Sequence, residues 1–485
     1  MKRRLAAISI ALAASVGLSA CSNATSSVPT ALSFGKHRGS GSTPIQHVIL
    51  MVQENRSFDN LFATFPGANG ATRGKEKVKS KGKWIVKTVK LKPQDLLQTK
   101  FDLTHCSAAF NVAYDHGKMD AFNLEHRGVC GQGGTLGNGQ PAGTFPYHYV
   151  EPSQIQPYWD IANQWVLADE MFQTQGSGSF TAHQDLIRGG TMIDSTEALI
   201  DNPTGMPWGC DGNGHLWVLT TGGQYSTGPK QCSNYFPNGS GGYQTLRDLL
   251  EAKSVSWKYY TPCFIATTDC PGSKKCSDCA GGLLNAFDLV YPVRYGPEWD
   301  TAVSMPETNI FTDIQNGTLP SVSWVIPDDE NSDHIDDTKV DNGPSWVASV
   351  VNGVGQSQYW NSSVIVVLWD DWGGFYDHTV PFLRDNMGGL GFRVPCMIIS
   401  PYAVAGSGSR GGYVSHTQYE FGSILKYIEN NWSLGRLNTT DVRATSIGDV
   451  LNYTQNPRQF TPIPSQHDAR YFQAHARNPQ HGDPE

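Results

Sequence analysis

Three apolar runs of strand length each end directly in a cluster of acids, amides and histidines. Val48 to Gln53 leads into Glu54-Asn55-Arg56-Ser57-Phe58-Asp59, and Ser323 to Pro327 leads into Asp328-Asp329-Glu330-Asn331-Ser332-Asp333-His334. Val364 to Trp369 leads into Asp370-Asp371-Trp372-Gly373-Gly374-Phe375-Tyr376-Asp377-His378. These runs, together with Cys396 to Ser400, show little polar alternation, as strands covered on both faces do. Helical patterns lie among them, at Trp346 to Val354 and at Tyr419 to Asn431, where Phe421, Ile424, Leu425 and Ile428 share a face. The alternation predicts an α/β fold: a mostly parallel sheet flanked by helices. Ligands of such sheets bind beyond the carboxyl ends of the strands. Acids crowded at that edge repel one another and call for protons or a cation. A hard divalent cation suits the oxygens, and the histidines widen the choice to zinc, iron or manganese. Taken singly, Asp328 and Asp329 read equally well as turn or helix-capping residues, and His334 and His378 as structural histidines.

A hydroxyl that could meet this edge lies in Gln173 to Gly190. Its glycines permit a tight turn, and a helical stretch follows Ser177, Ser179 and Thr181. A hydroxyl at a helix N-terminus has backbone N–H groups beside it that also cradle phosphate oxygens; simple capping by Ser179 or Thr181 is the plainer alternative. No Gly-x-Ser-x-Gly elbow with a matching acid and histidine, phosphate-loop lysine motif or dinucleotide fingerprint is present.

The chain has 485 residues, 39% hydrophobic and 16% charged, with 51 glycines, 28 prolines and 13 tryptophans: enough for a large core with many ordered loops. A net charge of −8 gives no global basic field for nucleic acid. One stretch, Arg73 to Lys100, is locally basic and reads as an exposed hairpin turning at Ser80-Lys81-Gly82. It is either a solvated ribbon or a site of attraction to anionic lipid or phosphate-rich substrate. Residues 195–306, rich in Gly, Cys, Pro and aromatics, read as a loop-rich inserted cap. Residues 1–20, a basic start followed by a short apolar run, match a secretory signal. Leu18-Ser19-Ala20-Cys21 resembles a lipoprotein cleavage box, which would leave Cys21 lipidated at the head of a flexible tether, residues 21–42, and hold the protein at a cell surface or outer membrane; ordinary signal cleavage would leave it secreted. The catalytic domain then spans 43–475 and a tail 476–485. Ten cysteines fit an oxidising compartment. Cys106 with Cys130 and Cys210 with Cys232 are plausible bridges. Cys263, Cys270, Cys276 and Cys279 cluster in a loop, and Cys396, in a buried strand, is the free thiol.

The motif Glu54-Asn55-Arg56-Ser57-Phe58-Asp59 resembles the signature of the bacterial phosphoesterase family that contains phospholipases C and acid phosphatases. His105 ahead of Asp115-His116-Gly117-Lys118-Met119-Asp120-Ala121-Phe122, the segment Asp328 to Trp346, and Trp369 to His378 come in the same order as in the family. The resemblance runs from about Gln46 to about Tyr471. It implies an alkaline-phosphatase-like fold and a divalent metal ion held by Glu54, Asn55, Asp370 and Asp371. It places Ser179 at the nucleophile, with Ser177 and Thr181 as alternatives, and His105 and His334 against the phosphoryl oxygens. The family's Gly-Pro-[Ser/Thr]-x-Pro stretch is here Ser177-Gly178-Ser179-Phe180-Thr181, without either proline. A further histidine of some family members has no clear match here; near Asp288 to Arg294, Pro292 stands where related chains can carry histidine. The expected activity is hydrolysis of a phospholipid or soluble phosphoester through a phosphoseryl intermediate. The competing expectation is a non-catalytic surface-anchored protein on the same scaffold.

Overall fold

The computed structural model of the protein describes residues 43–476 and 480–481, apart from 98–100, 132–133, 205–209, 211–216, 228–243, 266–283, 336–340, 386–388 and 408–410. The signal and tether residues, Cys21 among them, lie outside the described residues, as do Cys232, Cys270, Cys276 and Cys279.

An eight-stranded sheet forms the centre. Its strands are β1 (His47–Gln53), β2 (Val166–Ala168), β3 (Trp257–Tyr260), β4 (Val303–Ser304), β5 (Val322–Val325), β6 (Ser363–Trp369), β7 (Cys396–Ile399) and β8 (Tyr413–Ser415). They lie in the order β4-β3-β5-β1-β6-β7-β2-β8. All pairings are parallel except those that β7 makes with β6 and β2. The four apolar runs are therefore β1, β5, β6 and β7, and every residue of β5, β6 and β7 is buried, so both faces are covered. Periodicity alone did not predict the reversed direction of β7, since a fully buried strand looks apolar in either orientation.

The principal helices are α1 (Ser107–Tyr114), α2 (Gln156–Gln164), α3 (Ser179–Arg188), α4 (Gly343–Gly355) and α5 (Phe421–Trp432). Helix α3 packs on α5, and α2 on α4. Trp324 of β5 donates its indole N–H to the Leu186 carbonyl of α3 at 3.1 Å, tying helix to sheet. Pro344 sits in the first turn of α4, where its missing N–H costs nothing.

Residues 195–306, expected as an inserted cap, also supply β3 and β4 to the sheet edge. These strands are four and two residues long, too short for their pattern to stand out from Gly- and Cys-rich surroundings. The basic hairpin forms as Arg73–Ser80 paired antiparallel with Lys83–Lys90. Lys81 and Gly82 both have positive φ, at 48° and 78°, as a two-residue turn matching strand twist requires. Cys106 and Cys130 form a disulfide, Cys210 and Cys263 each take part in a disulfide, and Cys396 is a buried free thiol.

The register of β1 sets which side chains meet at the carboxyl edge of the sheet. Gln53 lies opposite Trp369, so Glu54 and Asp370 leave the sheet side by side, and the ladder continues from Asp370 N–H to the Gln53 carbonyl at 2.9 Å. Leu50, fully buried between Trp324 and Val366, holds that register. We predict that Leu50→Ala costs about 2–5 kcal/mol, measured by urea unfolding.

Candidate functional site

At this edge the polar side chains converge on one hydroxyl. Ser179, the first residue of α3, places Oγ 3.0 Å from Asp371 Oδ2, 3.3 Å from Asn55 Oδ1 and 3.4 Å from Glu54 Oε2. All four residues are at most 3% exposed. A hydroxyl has one proton to give, and three acceptors surround it. His183, one turn later on α3, brings Nε2 to 3.2 Å from Glu54 Oε1 and 3.9 Å from Asp370 Oδ2. One ligand atom from each of Glu54, His183 and Asp370 lies within 4.8 Å of the others.

The backbone around these groups is specialised. Asn55 adopts φ 59°, a left-handed conformation that Asn tolerates. Its N–H donates to Asp370 Oδ1 at 3.1 Å, which also accepts from Asp371 N–H at 2.7 Å. Gly373 and Gly374 have φ 57° and 72°; a Cβ on Gly373 would lie 2.1 Å from the Asn55 carbonyl oxygen, and one on Gly374 2.4 Å from Leu103 Cβ. The Gly-Gly turn thus lets the loop after β6 press against Asn55 and the His105 loop.

The remaining residues of the Glu54–Asp59 motif fasten these loops together. Buried Arg56 donates from Nε and Nη2 to the Asp333 carbonyl at 3.0 and 2.7 Å, pinning the loop of His334, and burial pushes its guanidinium down to about 10. Ser57 accepts from Asn60 N–H, capping a short helix, and donates to the Tyr376 carbonyl. Asp59 accepts from both the backbone and Nδ1 of His378.

His105 and His334 face each other with ring centres 6.2 Å apart, grouped with Asp102. His105 Nδ1 lies 2.7 Å from the Leu103 carbonyl, which can only accept, so Nδ1 carries hydrogen. Nε2 then points to Asn55 Nδ2 at 3.3 Å and toward Asp371 Oδ2 at 3.8 Å. The Cys106–Cys130 bridge holds the chain immediately after His105.

The structure also separates the three hydroxyls of the α3 loop. Ser177 Oγ accepts from Asp201 N–H at 2.6 Å and donates to Asp201 Oδ1, while Thr181 donates to the Gly178 carbonyl at 3.0 Å. Of the three, Ser179 is the one beside Glu54 and Asp371. Hydrogen bonds brace this proline-free loop: Gln173 Nε2 to the Ser177 carbonyl at 2.6 Å, and Phe180 N–H to Asn202 Oδ1 at 3.1 Å. Gly176 lies flat on the Phe110 ring, where a Cβ would come within 2.7 Å.

Two strand-end expectations resolve differently. Asp328 accepts from Asn331 N–H and caps a short turn. Asp377 and His378 gather with Asp59 around the Arg393 guanidinium, which donates to both Asp377 oxygens at 2.9 and 3.0 Å. Sequence reading missed His183, Asp102 and Arg56. The i, i+4 spacing of Ser179 and His183 was the available signal, since it puts both on one helix face.

The fold and this pocket define a class: a mostly parallel α/β protein carrying an acidic, histidine-flanked serine at the carboxyl edge of its sheet. Residues 45–435 match the Phosphoesterase family, and the chain belongs to it. It is 24% identical to the non-hemolytic phospholipase C of Burkholderia pseudomallei, the alignment covering 87% of this chain and 61% of that protein. Phospholipase C B of Mycobacterium tuberculosis is 26% identical, with 87% and 80% covered. The chain thus spans somewhat less than two thirds of the length of the Burkholderia relative. Among solved structures, a protein in the alkaline phosphatase superfamily from Vibrio parahaemolyticus matches with a TM-score of 0.32 at 10% identity, covering 83% of this chain and 70% of that one.

Two measurements test this geometry. Gly373→Ala should destabilise the fold by about 1–3 kcal/mol, because it adds both left-handed strain and a clash with Asn55, and chemical denaturation reads the loss. Asp201 is the second. Burial pushes its carboxyl from the ordinary 3.8 up to about 6, while hydrogen bonds from Ser107 and Ser177 pull the other way. An acid with a raised folded pKa contributes stability that is fully present below its unfolded value and is lost as pH rises through the folded one. The unfolding free energy should therefore decline between pH about 4 and about 6, and Asp201→Asn should flatten that part of the profile.

Proposed function

We propose that the protein is a metal-dependent phosphoester hydrolase in which Ser179 Oγ attacks phosphorus. The observation that carries the reading is the Ser179 hydroxyl at a helix N-terminus, 3.0 Å from Asp371 and beside Glu54 and Asn55. Three acceptors about one proton, with a histidine nitrogen alongside, suit a divalent cation. Glu54, Asn55, Asp370 and Asp371 would hold it, with His183 as a further donor. Bound there, such an ion lowers the pKa of a coordinated hydroxyl and offsets charge on phosphoryl oxygens.

The chain's own groups supply the rest. Ser179 Oγ gives up its proton and forms a bond to phosphorus while the ester P–O bond breaks, and the departing alkoxide takes a proton from water. Asp371 Oδ2 is the acceptor positioned for the hydroxyl proton. His105 and His334, beside the N-terminal end of α3, take up negative charge on the phosphoryl oxygens. Water then cleaves the phosphoseryl ester and restores the hydroxyl. The names of the relatives favour a phospholipid as substrate, and a soluble phosphoester fits the same chemistry.

The competing reading is a scaffold without turnover, its α3 loop slackened by the missing prolines. A hydrogen bond from Gln173 and one accepted by Asn202 supply bracing in their place, which favours the enzyme. We further read the chain as exported, with residues 1–20 as signal and Cys21 lipidated; the Cys106–Cys130 bridge supports an oxidising compartment.

Ser179→Ala should lower kcat/KM on p-nitrophenyl phosphate by about 100-fold or more. Near wild-type turnover would sink the assignment. Elemental analysis should find metal in the purified protein and little in Glu54→Gln/Asp370→Asn. Comparing phosphatidylcholine with p-nitrophenyl phosphate separates the two substrate classes.

A further inference from the structure

We propose that the hairpin Arg73–Lys90 is a membrane-docking element that binds the surface of an anionic lipid bilayer through its cations and inserts Trp84, Ile85 and Val86.

The first observation is composition in place. Residues 73–92 hold nine basic side chains and one acidic, in a chain whose net charge is −8. The second is exposure. Trp84, Ile85 and Val86 are 50%, 39% and 52% exposed, and no other three consecutive large hydrophobics are exposed among the described residues. A soluble surface ordinarily scatters such side chains singly.

Register explains how the two features combine. Directly opposed residues of an antiparallel pair share a face. Lys79 faces Trp84, Lys77 faces Val86, Lys75 faces Thr88 and Arg73 faces Lys90. That face therefore presents a row of cations along one strand and Trp84 and Val86 near the tip of the other, while Ile85, opposite Val78, lies on the reverse face at the same tip. Lys77 is engaged with Asp115 at 2.6 Å, whereas Lys79 lies 5.1 Å over the Trp84 ring. Lys81, in the turn, and Lys83, directly after it and next to the tryptophan, are exposed.

The base is rigid and joins the site. Gly74 abuts the rings of Tyr376 and Tyr147, Tyr147 donates to the Lys75 carbonyl at 2.6 Å, and Asn123 brackets Lys77 with bonds of 3.2 and 2.9 Å. Tyr376 belongs to the loop that begins at Asp370 and Asp371. The hairpin is thus an arm fixed to the loop layer of the pocket, with an uncovered tip.

Charge complementarity selects the occupant. Lysines reach anionic headgroups while their stems lie along apolar surface, and tryptophan prefers the headgroup level. A nucleic acid would use the cations but leave Ile85 and Val86 in water. Vesicle binding reads the hairpin and hydrolysis reads the pocket, so either can fail without the other.

The test uses the full chain carrying Cys21→Ser, so that no acyl group contributes. Sedimentation with phosphatidylglycerol vesicles should bind the protein, more weakly as salt rises, and phosphatidylcholine vesicles should bind it far less. Trp84→Ser/Ile85→Ser/Val86→Ser and, separately, Lys79→Glu/Lys81→Glu/Lys83→Glu should each weaken binding by about tenfold or more. Both should keep wild-type turnover of p-nitrophenyl phosphate, which also reports that they fold. Equal binding by wild type and both variants, or none by wild type, would overturn the proposal. Tighter capture of duplex DNA than of anionic vesicles would overturn it in favour of a nucleic-acid surface.

Discussion

Buried carboxylates around a single hydroxyl are the constraint on which the rest of the structure turns. Glu54, Asp370 and Asp371 are 3% exposed or less, and with Ser179 they come from three separate stretches of chain. Such a group repels itself, so each member must be held from behind. The parallel register of β1 and β6 brings Glu54 and Asp370 out together. The left-handed Asn55 turns its N–H onto Asp370, and the two glycines after Trp372 let the second loop close on the first. Arg56, by gripping the Asp333 carbonyl, brings in the loop of His334. The motif Glu54 to Asp59 is long because its residues fasten several different loops.

Sequence patterns were most legible where burial is complete. The strands β1, β5, β6 and β7 stood out because both faces are covered and alternation vanishes. Helices α4 and α5 kept their period because their large apolar residues gather on one face, although nearly every residue of both is buried. The hairpin was legible from its turn, Lys81-Gly82. What stayed hidden was short or set by tertiary pairing. Strands β3 and β4 carry too few residues to outweigh their surroundings, and the antiparallel setting of β7 depends on connections that no local pattern encodes.

The pocket was legible in part for a related reason. Glu54, Asn55, Asp370 and Asp371 come directly after strands, so strand position implied their convergence. The resemblance preferred Ser179 and left Ser177 and Thr181 open; in three dimensions Asp201 engages Ser177 and the Gly178 carbonyl engages Thr181. The bracing of that loop by Gln173 and Asn202 was invisible, since local sequence does not announce hydrogen bonds that replace prolines. His183 was overlooked because a histidine inside a helix usually reads as packing.

Two buried acidic groups in this molecule are handled by different means, and the difference is informative. Asp59 and Asp377 share the Arg393 guanidinium, a permanent positive charge that also donates to the Asn69 and Asp169 carbonyls. That network is complete in itself and fastens His378 to the motif. Around Ser179 the ion-pair contacts run instead to imidazoles, from Glu54 and Asp370 to His183 and from Asp371 to His105. A neutral imidazole supplies a lone pair or a hydrogen bond and no net charge. A guanidinium settles an acidic pocket permanently, whereas acids flanked by imidazoles leave room for an exchangeable cation and for a phosphoryl group whose charge it offsets. That contrast, between a salt bridge around Arg393 and acids gathered at a hydroxyl, is the physical ground on which we propose chemistry at Ser179 and structure at Arg393.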